Sequence, residues 1–340
     1  MDQDWMKPSQ SGEPEALAER TEALHLLPGW FRRPTPLLWR EMRSHCVPAH
    51  WRYHEVRECL RQAAHEVSTE EAERRNLILR NPIPDNDHST LRTLICAYQT
   101  MLPGEKAKSH RHSPHAMRVI LESRGAYSIV DGHKHPMESG DIVLTPGGCW
   151  HGHGHEGSEQ AFWLDGLDVP LTHLLEPMFY EPHPDQWERV AQETTHSPMR
   201  FAWAETMAAL DRAEADPTGH FGTTITLPTP MMPTVTLKVC RWPANWANRP
   251  YRHTANTVYV VMRGSGRSEV GELEVDWSFG DTFVAPAWSR ISHHASEDSV
   301  ICAISDEQLM RWTRYYRVED LGHGGAPLTI SQTNEANLRG

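Results

Sequence analysis

The histidines in the middle of this chain have a spacing that suits a metal ion. His110 and His112 are two residues apart, and His151 begins a run in which histidine alternates with glycine. Side chains two apart on a β-strand point to the same side, so His110 and His112 can bind one ion, and His151 on a facing strand can supply a third nitrogen. Such a set leaves coordination positions open for reactants, which indicates a catalytic metal.

The residues around these histidines follow the two-part cupin motif. Gly104 precedes the histidine pair in the first half, and Gly140, Pro146 and His151 form the second half. Residues 116–117, where many cupins have a metal-binding Glu, are Ala and Met. We therefore predict a site of three imidazoles and no carboxylate. Zinc, copper, iron and nickel all accept such ligands, so the ligands alone do not identify the metal.

Other residues near the predicted ligands suit an acidic organic substrate. Arg118 lies on the same face as His112 if the strand is regular, and its guanidinium suits a carboxylate. The alternative for Arg118 is a salt bridge within the protein. His153 either faces the cavity with His151 or is an exposed or supporting residue, and His115 is expected near the mouth. The remaining histidines of this region are predicted loop residues: His133, His135 and His155.

Composition limits the function classes. The chain has 340 residues, 39% of them hydrophobic, and a formal net charge of −12, which opposes nucleic-acid binding. The sequence shows no run of about eighteen apolar residues and no signal segment, so we expect no membrane contact. The six cysteines are scattered without a Cys-x-x-Cys pair. That pattern favours reduced thiols and a cytoplasmic location.

The pattern along the chain predicts an all-β protein with accessory helices. Residues 38–80 show helix spacing, with Ser68 as an N-cap. Short β-prone runs follow from Thr90 and again over residues 223–304, so we expect a bicupin of two double-stranded β-helix (jelly-roll) barrels. The predicted divisions are an N-terminal helical segment at 1–88, a metal-binding cupin domain at 89–186, a helical connector at 187–222, a metal-free cupin domain at 223–320 and a mobile tail at 321–340.

The second β-rich stretch repeats the first. Gly280-Asp281 has the same distance to Pro286 as Gly140-Asp141 has to Pro146, which is typical of a duplicated unit. The place of the third metal ligand is taken by Ile291, so we expect the second barrel to hold no metal. An alternative second site would use His253, His293 and His294.

Six stretches of the sequence together carry a family resemblance that extends over most of the chain. They are His50-Trp51-Arg52-Tyr53, Ala72-Glu73-Arg74-Arg75 with Asn81-Pro82, Leu102-Pro103-Gly104-Glu105, Ala116-Met117-Arg118, Trp150-His151-Gly152-His153-Gly154 and Trp163-Leu164-Asp165-Gly166-Leu167-Asp168. In these stretches the chain resembles the gentisate 1,2-dioxygenase group of bicupins, which includes salicylate, 1-hydroxy-2-naphthoate and 5-nitrosalicylate dioxygenases.

The resemblance implies a non-haem Fe(II) centre held by His110, His112 and His151. It also implies that Arg118 and Arg74 hold the substrate carboxylate, that His153 contacts the substrate or bound oxygen, and that Asp165 supports the site. The implied reaction inserts both atoms of O2 into an ortho-hydroxybenzoate and cuts the ring between C1 and C2, which bear the carboxyl and hydroxyl groups. A homotetramer is also implied.

One departure from the family concerns substrate choice. The family commonly has Gln-Ser where this chain has Pro114-His115, so His115 is a bulkier, titratable candidate for contacting the substrate. Gentisate, salicylate and a 5-substituted salicylate such as 5-nitrosalicylate therefore all remain open. Two other function classes remain as alternatives: a metal-dependent cupin isomerase or decarboxylase, and a non-catalytic cupin that binds an aromatic acid.

Overall fold

The structure of the chain, a computed structural model, describes residues 15–27, 29 and 38–322. Helix α1 (Glu15–Ala23) belongs to a first unit of residues 1–42, and residues 43–340 form the second unit. Beyond Gly322, the predicted tail at 321–340 lies outside the described residues. Among the described helices, none is both long enough and apolar enough to span a membrane.

The second unit consists of two barrels with two sheets each, as predicted. Sheet I contains, in spatial order, β13 (Arg200–Phe201), β8 (Ile142–Thr145), β5 (Ala116–Glu122), β10 (Ala161–Leu167), β3 (Ile95–Met101) and β2 (Arg75–Ile78). Sheet II contains β11 (Tyr180–Pro182), β4 (Lys106–His112), β9 (His151–His155), β6 (Ala126–Val130), β7 (His133–Met137) and β12 (Gln192–Glu193). Side chains from both sheets form one core, which is the interior of the first barrel.

The second barrel has the same plan. Sheet III contains β1 (Ala49–Trp51), β20 (Thr282–Ala285), β17 (Thr257–Arg263), β22 (Ser299–Ser305), β15 (Thr236–Trp242) and β14 (Thr223–Leu227). Sheet IV contains β19 (Leu273–Ser278), β18 (Ser265–Val270), β21 (Ile291–Ala295), β16 (Tyr251–His253) and β23 (Val318–Asp320). The helices of this unit are α2 (Tyr53–Glu66), α3 (Thr69–Ala72), α4 (Val169–Leu175), α5 (Trp203–Arg212) and α6 (Glu307–Trp312).

Sheet I is buried on both faces because it lies between the first barrel's interior and sheet III. On β5, Met117 and Val119 join a core that also contains residues of β17 and β22, whereas Ile120 belongs to the core of the first barrel. Alternate residues of a strand share a face, so Arg118 lies on the same face as Ile120. The strand therefore carries a guanidinium into the barrel interior.

The Gly-Asp repeat makes the same turn in both barrels. Gly140 and Gly280 have φ values of 90° and 84°, which favour glycine. A Cβ atom would collide with the ring of Trp203 at the first position and with the ring of Tyr53 at the second. The aspartate after each glycine accepts a hydrogen bond from the backbone N–H of the same aromatic residue, at 2.9 Å and 2.7 Å respectively. The repeat therefore docks a helix, α5 or α2, on each barrel.

The helical prediction for residues 38–80 is only partly right. Helix α2 forms, and Ser68 caps α3 in a capping box with Glu71, but α3 ends at Ala72 because Glu73 has a φ of 53°. Strands β1 and β2 lie in the same segment and extend sheets III and I. Strand β1 pairs with β20, far along the chain, and β2 pairs with the next strand, β3, across an irregular connection, so the spacing within residues 38–80 reveals neither strand. In the connector at 187–222, α5 is accompanied by the short strands β12 and β13.

Candidate metal centre

Three histidines meet inside the first barrel. His110 and His112 lie on β4, and His151 lies on β9 directly opposite His110. One ring nitrogen from each histidine lies within 4.8 Å of the others. The third histidine comes from the neighbouring strand of the same sheet, not from a facing strand as predicted. Residues opposite each other in an antiparallel ladder are close enough for this.

The hydrogen bonds of the rings leave nitrogen lone pairs for a metal. Nδ1 of His112 lies 2.9 Å from the carbonyl oxygen of Pro114, and Nδ1 of His151 lies 3.1 Å from that of Cys149. Because a carbonyl oxygen only accepts, each Nδ1 carries the proton and each Nε2 has a lone pair. Together with a ring nitrogen of His110, these make three imidazole nitrogens without a carboxylate, a set that fits a divalent first-row transition metal and leaves coordination positions open.

Burial keeps these imidazoles neutral. It lowers the pKa of His112 to about 4 and the pKa values of His110 and His151 well below the usual value. The positive charges of Arg74 and Arg118 lower all three pKa values further. The neutral ring is the form that binds a metal, so the three imidazoles are in the form that can bind a metal at neutral pH.

Sheet I places a buried ion pair beside the histidines. Arg118 on β5 lies opposite Asp165 on β10, with Nε 3.2 Å from Oδ1. Nη1 of Arg118 donates to Thr145 Oγ1 at 2.7 Å, and Nε1 of Trp163 donates to Asp165 Oδ2 at 3.1 Å. Burial lowers the pKa of Arg118 to about 10, so it stays cationic, and burial raises the pKa of Asp165 against the effect of Arg118. These contacts fix the guanidinium in position.

His153 lies two residues after His151 on β9, on the same side of the strand. Its ring centroid is 6.2 Å from that of His151 and 5.9 Å from that of Trp163. Both ring nitrogens are buried, and neither has a hydrogen-bond partner among the described residues. An unsatisfied buried polar group costs about 1–3 kcal/mol, so His153 has the features of a residue that pairs with a ligand.

Arg74 reaches the histidines from the turn that follows α3, and not from a helix as predicted. Its Nη1 lies 2.9 Å from His110 Nδ1 and 2.5 Å from Glu73 Oε1, and its Nη2 donates to the carbonyl oxygen of Lys108 at 3.1 Å. Arg75 points elsewhere and pairs with Glu105. Of the two arginines, therefore, only Arg74 approaches the metal centre.

His115 lies in the connection between β4 and β5. Its Nδ1 accepts a hydrogen bond of 2.9 Å from the backbone N–H of Gly147, and its own backbone N–H donates to Asp168 Oδ1 at 2.7 Å. No ring contact to the three clustered histidines is seen in the described part of the chain. Gly147 belongs to the loop that leads to His151, so His115 stabilises that loop.

Two further predictions about histidines have clear outcomes. The loop prediction for His133, His135 and His155 is wrong, because the first two lie on β7 and the third on β9, with His135 and His155 buried. Because β7 contains Lys134 and Pro136, its sequence does not show the alternation of apolar and polar residues that predicts a strand. In the second barrel, His253 and His293 are buried. Among residues 15–27, 29 and 38–322, however, the one cluster of three side chains that could bind a metal lies in the first barrel.

Sequence reasoning missed two residues at this centre, Glu73 and Tyr180. Both contact Nδ1 of His110, Glu73 through Oε1 at 3.1 Å and Tyr180 through its hydroxyl at 3.3 Å. The position of Glu73 next to Arg74 in the sequence was the one feature that could have indicated a role for Glu73 at this site. Tyr180 reaches the site because β11 pairs with β4. The two residues in contact are 70 positions apart in the sequence, so no local sequence pattern predicts the contact.

Comparisons with known proteins agree with this geometry. Residues 97–167 match the Cupin_2 family, described as a cupin domain. The chain is 31% identical to 5-aminosalicylate 1,2-dioxygenase of Comamonas sp over 89% of both proteins. It is 29% identical to gentisate 1,2 dioxygenase 1 of Aquipseudomonas alcaligenes, over 92% of this chain and 97% of that enzyme. The crystal structure of a salicylate 1,2-dioxygenase from Pseudaminobacter salicylatoxidans aligns with a TM-score of 0.83 and 26% identity, over 93% and 99% of the two chains.

Proposed function

The chain belongs to the gentisate 1,2-dioxygenase family of bicupins, and from this we propose how its residues carry out ring cleavage. It is a ring-cleaving dioxygenase that acts on hydroxybenzoates. In the proposed reaction, both atoms of O2 enter an ortho-hydroxybenzoate, and the bond between the carboxyl-bearing C1 and the hydroxyl-bearing C2 breaks. The proposal rests on a three-histidine cluster beside the buried Arg118–Asp165 pair.

The proposed metal is Fe(II), held by Nε2 of His110, His112 and His151. Three imidazoles with open positions suit it, and reaction with O2 calls for a redox-active ion. When bound, Fe(II) would orient the aromatic acid and O2 together and allow electrons to pass between them.

The chain's own residues bind and orient the substrate. Arg118, fixed by Asp165 and Thr145, is proposed to hold the substrate carboxylate. Arg74 is proposed as a second cation for that carboxylate, since it already lies at the ligand cluster. His153 is proposed to hydrogen-bond the substrate or oxygen, with one ring nitrogen as donor and the other as acceptor.

His115 is proposed to lie at the mouth of the site and to contact the ring substituent of the substrate. Its Nδ1 already accepts from Gly147, which leaves Nε2–H as the donor of the neutral ring. A hydrogen-bond donor at this place favours a substituent with acceptor oxygens, such as the 5-hydroxyl of gentisate or the 5-nitro group of 5-nitrosalicylate.

A homotetramer and a cytoplasmic location are also proposed. Large apolar side chains that are exposed in the single chain support association; examples are Leu174, Leu175, Phe179 and Trp187. The six cysteines are all free thiols, which supports a reducing compartment.

Oxygen uptake by the full chain loaded with Fe(II) tests the proposed function. The substrate panel consists of gentisate, salicylate, 5-aminosalicylate, 5-nitrosalicylate and 1-hydroxy-2-naphthoate, and His110→Ala is the metal-site control. We expect consumption of one O2 per ring opened with at least one substrate, and none with the control. Turnover without oxygen would indicate an isomerase or decarboxylase, and binding without turnover would indicate a non-catalytic cupin.

A further inference from the structure

Glu73 and Tyr180, which have no role in the proposed reaction, are joined to the metal ligand His110 in one cluster. Nδ1 of His110 has three neighbours: Arg74 Nη1 at 2.9 Å, Glu73 Oε1 at 3.1 Å and the Tyr180 hydroxyl at 3.3 Å. Arg74 Nη1 and the Tyr180 hydroxyl both also donate to Glu73, at 2.5 Å and 3.3 Å. The carboxylate of Glu73 is thus the common acceptor of the cluster.

The protonation state of His110 identifies its partner. If Nε2 binds the metal, Nδ1 carries the proton and must donate it. Arg74 has no acceptor atom, so its 2.9 Å contact with Nδ1 is a hydrogen bond only in the other tautomer, and in the metal-binding form its Nη1 donates to Glu73 instead. The Nδ1 proton then goes to Glu73 or to the Tyr180 oxygen, and Glu73 is both the nearer and the charged one. The other two ligands donate to uncharged backbone carbonyls. Among the described residues, His110 is therefore the ligand with a carboxylate partner.

We propose that Glu73 is a positioning residue that accepts the Nδ1 proton of His110, orients the ring toward the metal and makes it a stronger ligand. A carboxylate behind a metal-bound histidine fixes the ring and raises its basicity. This inference rests on the proposed function, because it assumes that His110 binds the metal.

The backbone of Glu73 supports this assignment. Its φ of 53° and ψ of −52°, with a hydrogen bond from the N–H of Arg74 to the carbonyl oxygen of Ala72, define a γ-turn, which is strained for any residue other than glycine. The strained turn directs the Glu73 side chain to His110 and Arg74. It also supplies a useful variant, because Glu73→Gly relieves the strain while it removes the carboxylate.

Cobalt binding to the metal-free full chain tests the proposal, with Co(II) as a spectroscopic substitute for Fe(II). Glu73→Gly should weaken the affinity, measured against a competing chelator, by roughly tenfold or more and shift the d–d absorption bands, without loss of thermal stability. Glu73→Gln should lose less, because its amide oxygen still accepts the proton but carries no charge. The matched control is Glu181→Gln on β11. This carboxylate is similarly exposed, pairs with Arg111 and should leave affinity and spectrum unchanged.

The outcomes separate the two proposals. If the wild-type chain binds no Co(II), or if His110→Ala binds it as tightly as wild type, the metal centre itself is wrong. If wild type binds Co(II), His110→Ala does not, and both Glu73 variants match wild type in affinity and spectrum, the role of Glu73 is overturned while the metal centre stands.

Discussion

Arg118 and Asp165 lie opposite each other on neighbouring strands of sheet I, inside the first barrel, with 3.2 Å between Nε and Oδ1. Both side chains are buried. A buried ion pair contributes little net stability relative to apolar residues, but the loss of one partner leaves an unpaired buried charge. The pair therefore adds little stability of its own, but it fixes a guanidinium beside the three-histidine cluster.

The first prediction separates the binding role of Arg118 from its effect on stability. Arg118→Ala should raise KM for the aromatic acid and lower the free energy of unfolding by about 3–5 kcal/mol, because Asp165 loses its partner. The double variant Arg118→Met with Asp165→Leu should recover most of the stability, seen in urea denaturation, but not the substrate affinity. A wild-type KM in the double variant would show that Arg118 does not bind the substrate.

The second prediction concerns His153. His153→Phe removes two buried nitrogens that have no partner among the described residues, so its thermal stability should equal or exceed that of wild type. Iron content should be unchanged, because His153 is not one of the three clustered histidines. We expect kcat to fall by roughly 10²–10³, the usual cost of losing one positioned hydrogen-bond donor. A stable, iron-replete variant with wild-type kcat would contradict the proposed role.

Much of the fold and of the metal centre was predictable from the sequence because the cupin motif ties residue types to turns and strands. In each Gly-Asp turn, the glycine is required by a positive φ and the aspartate accepts a backbone hydrogen bond, so local structure explains both residue types. Strands β1 and β2 were not predictable in this way, because each is short and joins the edge of a sheet whose other strands lie outside its own segment. The role of Tyr180 was likewise not predictable, because this residue reaches His110 through the pairing of β11 with β4.

The third prediction concerns substrate choice at residues 114 and 115. The double variant Pro114→Gln with His115→Ser should change the ratio of kcat/KM between gentisate and salicylate, while iron content stays the same. Iron binding should survive because His112 Nδ1 bonds to the backbone carbonyl of residue 114, which any side chain at that position preserves. An unchanged ratio across the substrate panel would show that this pair does not select the ring substituent.

The fourth prediction concerns stability against pH. Burial lowers the pKa of His135 and of His253 to about 4 and that of His293 to about 3. The unfolded chain takes up these protons near pH 6.5 and the folded chain does not, so the contribution of these histidines to stability is constant above about pH 6.5 and falls as the pH is lowered toward about 4.

Each such histidine contributes up to about 1.4 kcal/mol per pH unit in that window. Urea denaturation at about pH 7.5 and about pH 5.5 measures the difference. Equal unfolding free energies at the two pH values would contradict a net loss of stability from these imidazoles.

Isotopic labelling tests the central claim most directly. The Fe(II)-loaded chain is given a hydroxybenzoate under oxygen gas enriched in the heavy isotope, and the ring-opened product is analysed by mass spectrometry. The three-histidine centre beside Arg118 predicts a product in which both atoms of one O2 molecule are incorporated, and no product under nitrogen. Two results would contradict a dioxygenase reaction at this centre. One is a product that forms without oxygen. The other is a product labelled in only one of the two positions, once a control has shown that the label is not lost by exchange with water.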